Sequence, residues 1–403
     1  MDYSENRLAD YSADSSIGRG AMDVPFLLLT LLLLTIGVVM VLSSSFARAY
    51  YSAASNHSAT YYFSRQLFFA AVGIAAMILA SRFPIGFYRR MAPIVMLAAV
   101  GLLVLVLIGG KKVNGARRWF ELFGVTFQPS EIAKIAVILF DAQLIVRYKE
   151  KMGTFRYGVL PFGIVAAVIV GLLIVEPHLS ASIIILAITA TMMFIGGTRL
   201  FWFLIGGGAV GLFGVLAISV LDYSSDRISA WLDPFADTSD TGYQILQSLY
   251  SIGSGGLTGL GLGGSRQKYL YLPEEHNDFI FSIVCEELGF IGATVILILF
   301  ALLIIRGYWL AMHCRDRYSF LVCTGVTTLL ALQVILNVAV VTNLIPCTGI
   351  SLPFFSYGGT ALLIQLAEMG IVLSISRDIP EKKSVRQQKK TKPNPQNAGA
   401  SKV

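Results

Sequence analysis

Five carboxylates crowd the eighteen residues LPEEHNDFIFSIVCEELG, Leu272 to Gly289, where a polar segment runs into an apolar one. Helical spacing sets Asp278, Ser282, Cys285/Glu286 and Gly289 along one face and turns Glu287 elsewhere. Asp278 is a carboxylate at the mouth of the apolar run. One carried into the segment is costly enough to mark a functional cavity, unless a neighbouring helix supplies a salt bridge, and Glu286 and Glu287 admit both readings. Glu274 and Glu275 read most simply as solvated acids near a helix N-terminus, where the dipole favours negative charge.

Three other stretches carry candidate chemistry. FQPSEIAKIA, Phe127 to Ala136, puts Glu131 and Lys134 three apart, either as an ion pair entering low dielectric together or as a cation ready for a lipid phosphate. GSGGLTGLGLGGSRQK, Gly253 to Lys268, fits neither a P-loop nor a dinucleotide turn. Its glycines would still let backbone N–H groups approach an anion, with Arg266 and Lys268 as counter-charges for a pyrophosphate. TGISLPFFSYGG, Thr348 to Gly359, reads as close packing or broken helix. The four histidines form no spaced cluster, and the four cysteines form no C-x-x-C pair, so neither a zinc site nor a disulfide scaffold is expected.

These groups must be positioned by membrane helices. The 403 residues are 55% hydrophobic and 14% charged, with mean hydropathy +0.70, too apolar for a soluble domain. Apolar runs recur about ten times: Val24–Leu42, Leu67–Ser81, Pro93–Ile108, Ile132–Val146, Val159–Val175, Ala181–Ile195, Leu200–Val220, Phe279–Ile305, Phe320–Leu344 and Leu352–Ser376. The expected fold is an all-α polytopic membrane protein of about ten transmembrane helices. A tail over residues 1–23 precedes the membrane domain at 24–376, a large extracytoplasmic loop at 221–278 lies between helices 7 and 8, and a basic tail covers 377–403.

Charge sets the expected orientation. With both termini cytoplasmic, 21 Lys and Arg fall inside against 9 outside, with Lys134 in a helix, as the positive-inside rule requires. The formal charge of +7 comes mostly from the C-terminal tail, where eight Lys/Arg face only Asp378 and Glu381 without aromatic interleaving. Nucleic acid is therefore not an expected partner. The short outer loop KKVNGARRWF, Lys111 to Phe120, breaks the rule, and an anionic ligand at the outer face explains Arg117 and Arg118 there.

Taken together, NGARRWFELFGVTFQPSEIAK, GYQILQSLYSIGSGGLTGLGLGGSRQKYLYLPEEHNDFIFSIVCEELGFIG and TGISLPFFSYGGTALL resemble the SEDS family of bacterial peptidoglycan polymerases, the FtsW, RodA and SpoVE type. The resemblance runs from about Val24 to Arg377, and the LAEMGIVLSISR ending looks closer to the division type, FtsW. It implies a ten-helix glycosyltransferase that polymerises lipid II at the outer face of the cytoplasmic membrane during septal wall synthesis and releases undecaprenyl pyrophosphate. Its implied partners are a class B penicillin-binding protein transpeptidase and other divisome membrane proteins. The family's essential acid falls on Asp278 in HNDFIF, and its Q-P-S-E-x-x-K stretch on Gln128 to Lys134. One departure is EPHLSAS, Glu176 to Ser182, where the family commonly has QPD.

On this reading Asp278 is the base for the acceptor's 4-hydroxyl, with inversion at the donor's anomeric carbon. Arg117, Arg118, Lys134, Arg266 and Lys268 are candidates for the pyrophosphate, alone or with a divalent cation such as Mg or Mn, and Glu131 and Glu286 are candidate supports of the cavity. The rival classes are a lipid II flippase, disfavoured by the lack of an inverted repeat and by ionisable groups clustered at the outer face, and a non-catalytic scaffold. Elongation (RodA-like) or sporulation (SpoVE-like) duty is the alternative within the family.

Overall fold

The computed structural model describes residues 20–113, 116–122, 125–208, 211, 222–236 and 241–379. The helices are α1 (Val24–Tyr51), α2 (Tyr61–Ala80), α3 (Ile85–Gly109), α4 (Pro129–Tyr148), the short α5 (Phe155–Gly158), α6 (Leu160–Val175), α7 (Leu179–Gly196), α8 (Asp222–Leu232), α9 (Thr241–Ser254), α10 (Ile280–Met312), α11 (Arg317–Val341) and α12 (Gly359–Ser376). Among the described residues, eight spans are long and apolar enough to cross a bilayer: α1, α2, α3, α5 with α6, α7, α10, α11 and α12. Residues 200–208 open the seventh apolar run as helix, and most of its remainder lies outside the described residues, as do most of both tails.

Local chemistry starts these helices where it does. Asp23 caps α1 by accepting from the Phe26 amide at 2.9 Å, with a proline in the first turn. Asp316 caps α11 in the same way through the Ser319 amide. Large apolar side chains such as Leu97, Ile108, Leu204 and Met312 stay exposed, as lipid contact demands.

The fourth apolar run becomes α4, which carries Glu131, Lys134 and Asp141. It tolerates them because α3, α7 and α11 pack around it, burying Ala133, Ala136, Ile138, Ala142 and Ile145. Its charges thus meet protein instead of lipid. The basic loop folds into a three-stranded antiparallel sheet, β1 (Lys111–Val113), β2 (Ala116–Leu122) and β3 (Val125–Phe127), between α3 and α4. Lys111 pairs with Glu121 across it at 2.6 Å.

The glycine-rich stretch has a different task from the one its composition suggested. Helix α10 is broken at Gly289, whose φ of 67° lies in the left-handed region. The loop after α9 fills that break: Leu260 and Gly261 amides donate to the carbonyls of Glu286 and Glu287 at 3.0 Å each, and Phe290 and Ile291 amides donate back to Gly256 and Leu257 at 2.9 and 3.1 Å. Interrupted helix at this depth leaves peptide groups that must find protein partners. A Cβ on Gly289 would lie 2.2 Å from the Gly259 nitrogen, so the two segments touch backbone to backbone.

Candidate active site

Asp278 stands at the turn before α10, and neighbours on three sides hold its backbone. Asn337 of α11 donates its side-chain amide to the Asp278 carbonyl at 2.8 Å and to the Ile350 carbonyl at 2.6 Å. The Ser356 hydroxyl donates to the Asn277 carbonyl at 2.8 Å, and the Tyr357 amide to the His276 carbonyl at 2.8 Å. Phe279 and Ile280, both fully buried, plug the following turn into the core. The segment is therefore fixed on both sides of the carboxylate, as a site residue requires.

The Asp278 side chain opens into a cavity of about 740 Å³. Gly349 lies against it: with φ of 64°, a Cβ there would come within 3.0 Å of the Asp278 carboxylate. Around the same cavity are Lys111, Arg118, Gln128, Glu131, Lys134, His178, Arg227 and Glu274. Burial, with the Glu274 charge beside it, raises Asp278 to about 6 against the pull of Arg118 and Arg227. A carboxyl with that pKa can take a proton from a hydroxyl near neutral pH.

Lys134 is 3% exposed and pairs with Glu131 at 2.7 Å, and both still line the cavity. The ion pair expected as one alternative is formed, and it borders the cavity. Arg118 reaches the cavity while its guanidinium donates to the carbonyls of Glu176, at 3.3 Å, and Pro177. His178, in the EPHLSAS stretch, packs 3.4 Å from the Gln128 side-chain amide. Burial, with Arg118 and Lys134 nearby, lowers it to about 3, so it is a neutral imidazole. Glu176 is raised to about 8 by burial in spite of Arg118.

Four expected ligands are elsewhere. Arg117 donates to the last carbonyls of α3, Leu107 at 3.1 Å and Ile108 at 3.4 Å, a helix C-terminal contact. Glu286 faces the glycine-rich loop and accepts from the hydroxyls of Ser251 at 3.0 Å and Ser265 at 2.5 Å and from the Arg266 amide at 2.9 Å. Lys268 is buried against Glu287 at 2.9 Å and also donates to the Gly263 carbonyl at 2.6 Å. The loop does wrap anions, but they are the protein's own carboxylates, which satisfies charges that α10 could not otherwise bury.

The remaining acids also depart from expectation. Glu275 was expected in solvent and is fully buried, accepting from Arg48 of α1 at 2.7 and 2.8 Å. Burial alone would raise its carboxyl; His276 and Arg48 beside it more than reverse that and lower it. Glu274 lines the cavity. The sequence carried little signal for Arg227, a cation far from Arg266 and Lys268 in the large loop, or for His178, one of four scattered histidines.

Among the described residues no group of three or more His, Cys, Asp or Glu side chains could hold a metal ion. Asp278 and Glu274 are two neighbouring carboxylates that would need oxygens from a substrate to complete a coordination shell, so no step is routed through a metal. The cavity can thus bind an anion among Lys111, Arg118, Lys134 and Arg227 and move a proton at Asp278.

Comparison with known proteins gives this geometry its context. The family model described as FtsW/RodA/SpoVE, cell cycle protein, matches residues 24–380. Stage V sporulation protein E of Bacillus subtilis is 40% identical over 359 residues, covering 88% of this chain and 97% of that one. A probable peptidoglycan glycosyltransferase FtsW of Trichlorobacter lovleyi is 41% identical over 357 residues, covering 88% and 93%. A solved peptidoglycan synthase complex, described as coordinating polymerization and crosslinking, superposes with a TM-score of 0.75 at 28% identity over 90% of this chain and 99% of that one. The crystal structure of the rod shape determining protein RodA of Thermus thermophilus gives 0.66 at 28% identity over 90% and 98%. With the family model spanning nearly the whole membrane domain, and relatives matched along almost their full length, the chain belongs to the FtsW, RodA and SpoVE family of cell cycle proteins, multi-pass in the membrane.

Proposed function

We propose that this protein is a peptidoglycan glycosyltransferase that polymerises lipid II at the outer face of the cytoplasmic membrane in cell division. The observation that carries the reading is Asp278, a carboxyl at about 6, opening into a cavity whose other charges include four cations. In the reaction, Asp278 takes the proton of the acceptor's 4-hydroxyl as that oxygen attacks the donor's anomeric carbon. The bond from that carbon to the pyrophosphate oxygen breaks, the configuration inverts, and undecaprenyl pyrophosphate leaves with the bonding electrons. Lys134, Arg118, Arg227 and Lys111 stabilise the charge that gathers on the leaving group. The Lys134–Glu131 pair holds one of those cations in place before substrate arrives.

Both termini are cytoplasmic on this reading, supported by the Lys and Arg bias of the loops. A class B penicillin-binding protein is the proposed partner, supported by the likeness to the solved complex described as coordinating polymerization and crosslinking. Other divisome membrane proteins complete the assembly. The division assignment rests on likeness to FtsW proteins, and depletion should leave unseptated filaments; rounding cells would redirect it to elongation.

The test is lipid II polymerisation by the purified protein with its transpeptidase. Wild type should make long strands, and Asp278→Asn none while remaining folded and bound to its partner. Strand synthesis by Asp278→Asn removes the base assignment, and lipid II movement without strands favours the flippase.

A further inference from the structure

The cavity is chemically two-sided. Lys111 and Arg118 from the sheet and Lys134 from α4 bring cations to it, whereas α2 and the segment before α12 bring tyrosines, Tyr62 and Tyr357. The two rings meet edge to face, 5.0 Å apart at 85°. Buried His276 backs them both, 4.6 Å from Tyr62 and 5.7 Å from Tyr357. Trp119 also lines the cavity, but among the described residues it stacks on no other ring.

This aromatic cluster is built as firmly as Asp278. The Tyr357 amide donates to the His276 carbonyl at 2.8 Å, which ties the two segments. His276 follows Glu275, whose carboxylate is clamped by Arg48 at 2.7 and 2.8 Å. Asp278 comes two residues after His276 and lies in the field of Arg118 and Arg227, so it borders both walls.

The walls suit different halves of a glycosyl transfer. A pyrophosphate belongs among cations. An uncharged hexopyranose has an apolar C–H face that packs on an aromatic ring, which is the lining Tyr62 and Tyr357 provide. The sugar whose hydroxyl must reach Asp278 without a pyrophosphate at its reacting end is the acceptor.

We propose that Tyr62 and Tyr357, backed by His276, form a saccharide-stacking subsite that holds the acceptor sugar beside Asp278. The inference rests on the polymerase reading and adds a substrate subsite to it. It makes the aromatic wall a determinant of strand length, because a weakly held acceptor gives fewer additions before the strand is released.

The experiment uses the full chain in complex with its transpeptidase and compares wild type with Tyr62→Ala, Tyr357→Ala, Tyr62→Leu and Tyr62→Phe. Initial rate against lipid II concentration and strand length are read together with binding of a soluble probe, a β-1,4-linked N-acetylglucosamine tetramer, followed by calorimetry. Removing a ring should raise KM roughly tenfold, weaken probe binding by a similar factor and shorten strands, with kcat changed less and the pH profile unmoved. Tyr62→Phe should behave nearly as wild type. Tyr62→Leu keeps apolar bulk without a ring, so it should fold, by thermal unfolding in detergent, and still show the defect. Unchanged strand length and probe binding in the Leu and Ala variants, or a Phe variant as defective as Ala, would overturn the subsite. Failure of wild type to make any strand would instead overturn the polymerase reading, and the probe measurement would still decide whether the aromatic wall binds saccharide.

Discussion

Replacing Lys268 with Met separates a structural cation from a substrate-binding one. The Lys268 ammonium is buried, at 3% exposure, and lies 2.9 Å from a Glu287 carboxylate at 0%. Removing it leaves Glu287 with the Ser43 hydroxyl, 2.6 and 2.7 Å from its two oxygens, and the Ser265 amide at 3.3 Å. One hydroxyl and one long amide contact do not replace an ammonium, and an uncompensated buried charge costs about 3–5 kcal/mol. Were the pair in water, the loss would be about 0–1 kcal/mol. Thermal and denaturant unfolding of the purified protein in detergent reads the difference. A double variant, Lys268→Met with Glu287→Gln, should recover most of the loss, because the neutral amide needs no counter-ion and keeps the Ser43 contact. A Lys268→Met protein within about 0.5 kcal/mol of wild type but with a raised KM for lipid II would refute the structural assignment and return Lys268 to the substrate.

Three further outcomes follow from the geometry. With Asp278 raised to about 6, polymerisation should climb as pH rises through about 6, since the base works deprotonated; Glu274→Gln should move that limb to lower pH and Arg227→Gln to higher pH, as read from rate against pH at saturating lipid II. Because ionising Asp278 is harder in the folded protein than in the unfolded chain, Asp278→Asn should unfold at neutral pH no more easily than wild type, and a clear loss of stability would contradict this. Arg48→Ala should cost about 3–5 kcal/mol by stranding the buried Glu275 carboxylate, whereas Arg48→Ala with Glu275→Gln should restore stability, both measured by thermal unfolding.

How much of this was legible beforehand can be judged residue by residue. The apolar runs foretold the helices because a bilayer imposes a length that sequence displays directly, and α4 stood out by its charges. The acid before α10 and the i,i+3 pair at Glu131 and Lys134 were visible because local spacing on one element is a one-dimensional property. The sheet over the cavity was not, since β1 and β3 are only three residues each and their pairing with β2 depends on being suspended between α3 and α4.

Composition and spacing by themselves determined a membrane protein with five acids crowded where a polar segment meets an apolar run. Only the tertiary structure decided which charges serve the cavity. Glu286 and Lys268 read as neighbours of Asp278 along the chain, yet the break at Gly289 folds the glycine-rich loop back onto α10, where Glu286 accepts from the Arg266 amide and Lys268 pairs with Glu287. Arg227, His178, Tyr62 and Tyr357, far apart in sequence, meet at the cavity. The physical reason is that burying a charge requires a partner from whatever segment packs against it, and packing between distant segments is not written in local periodicity.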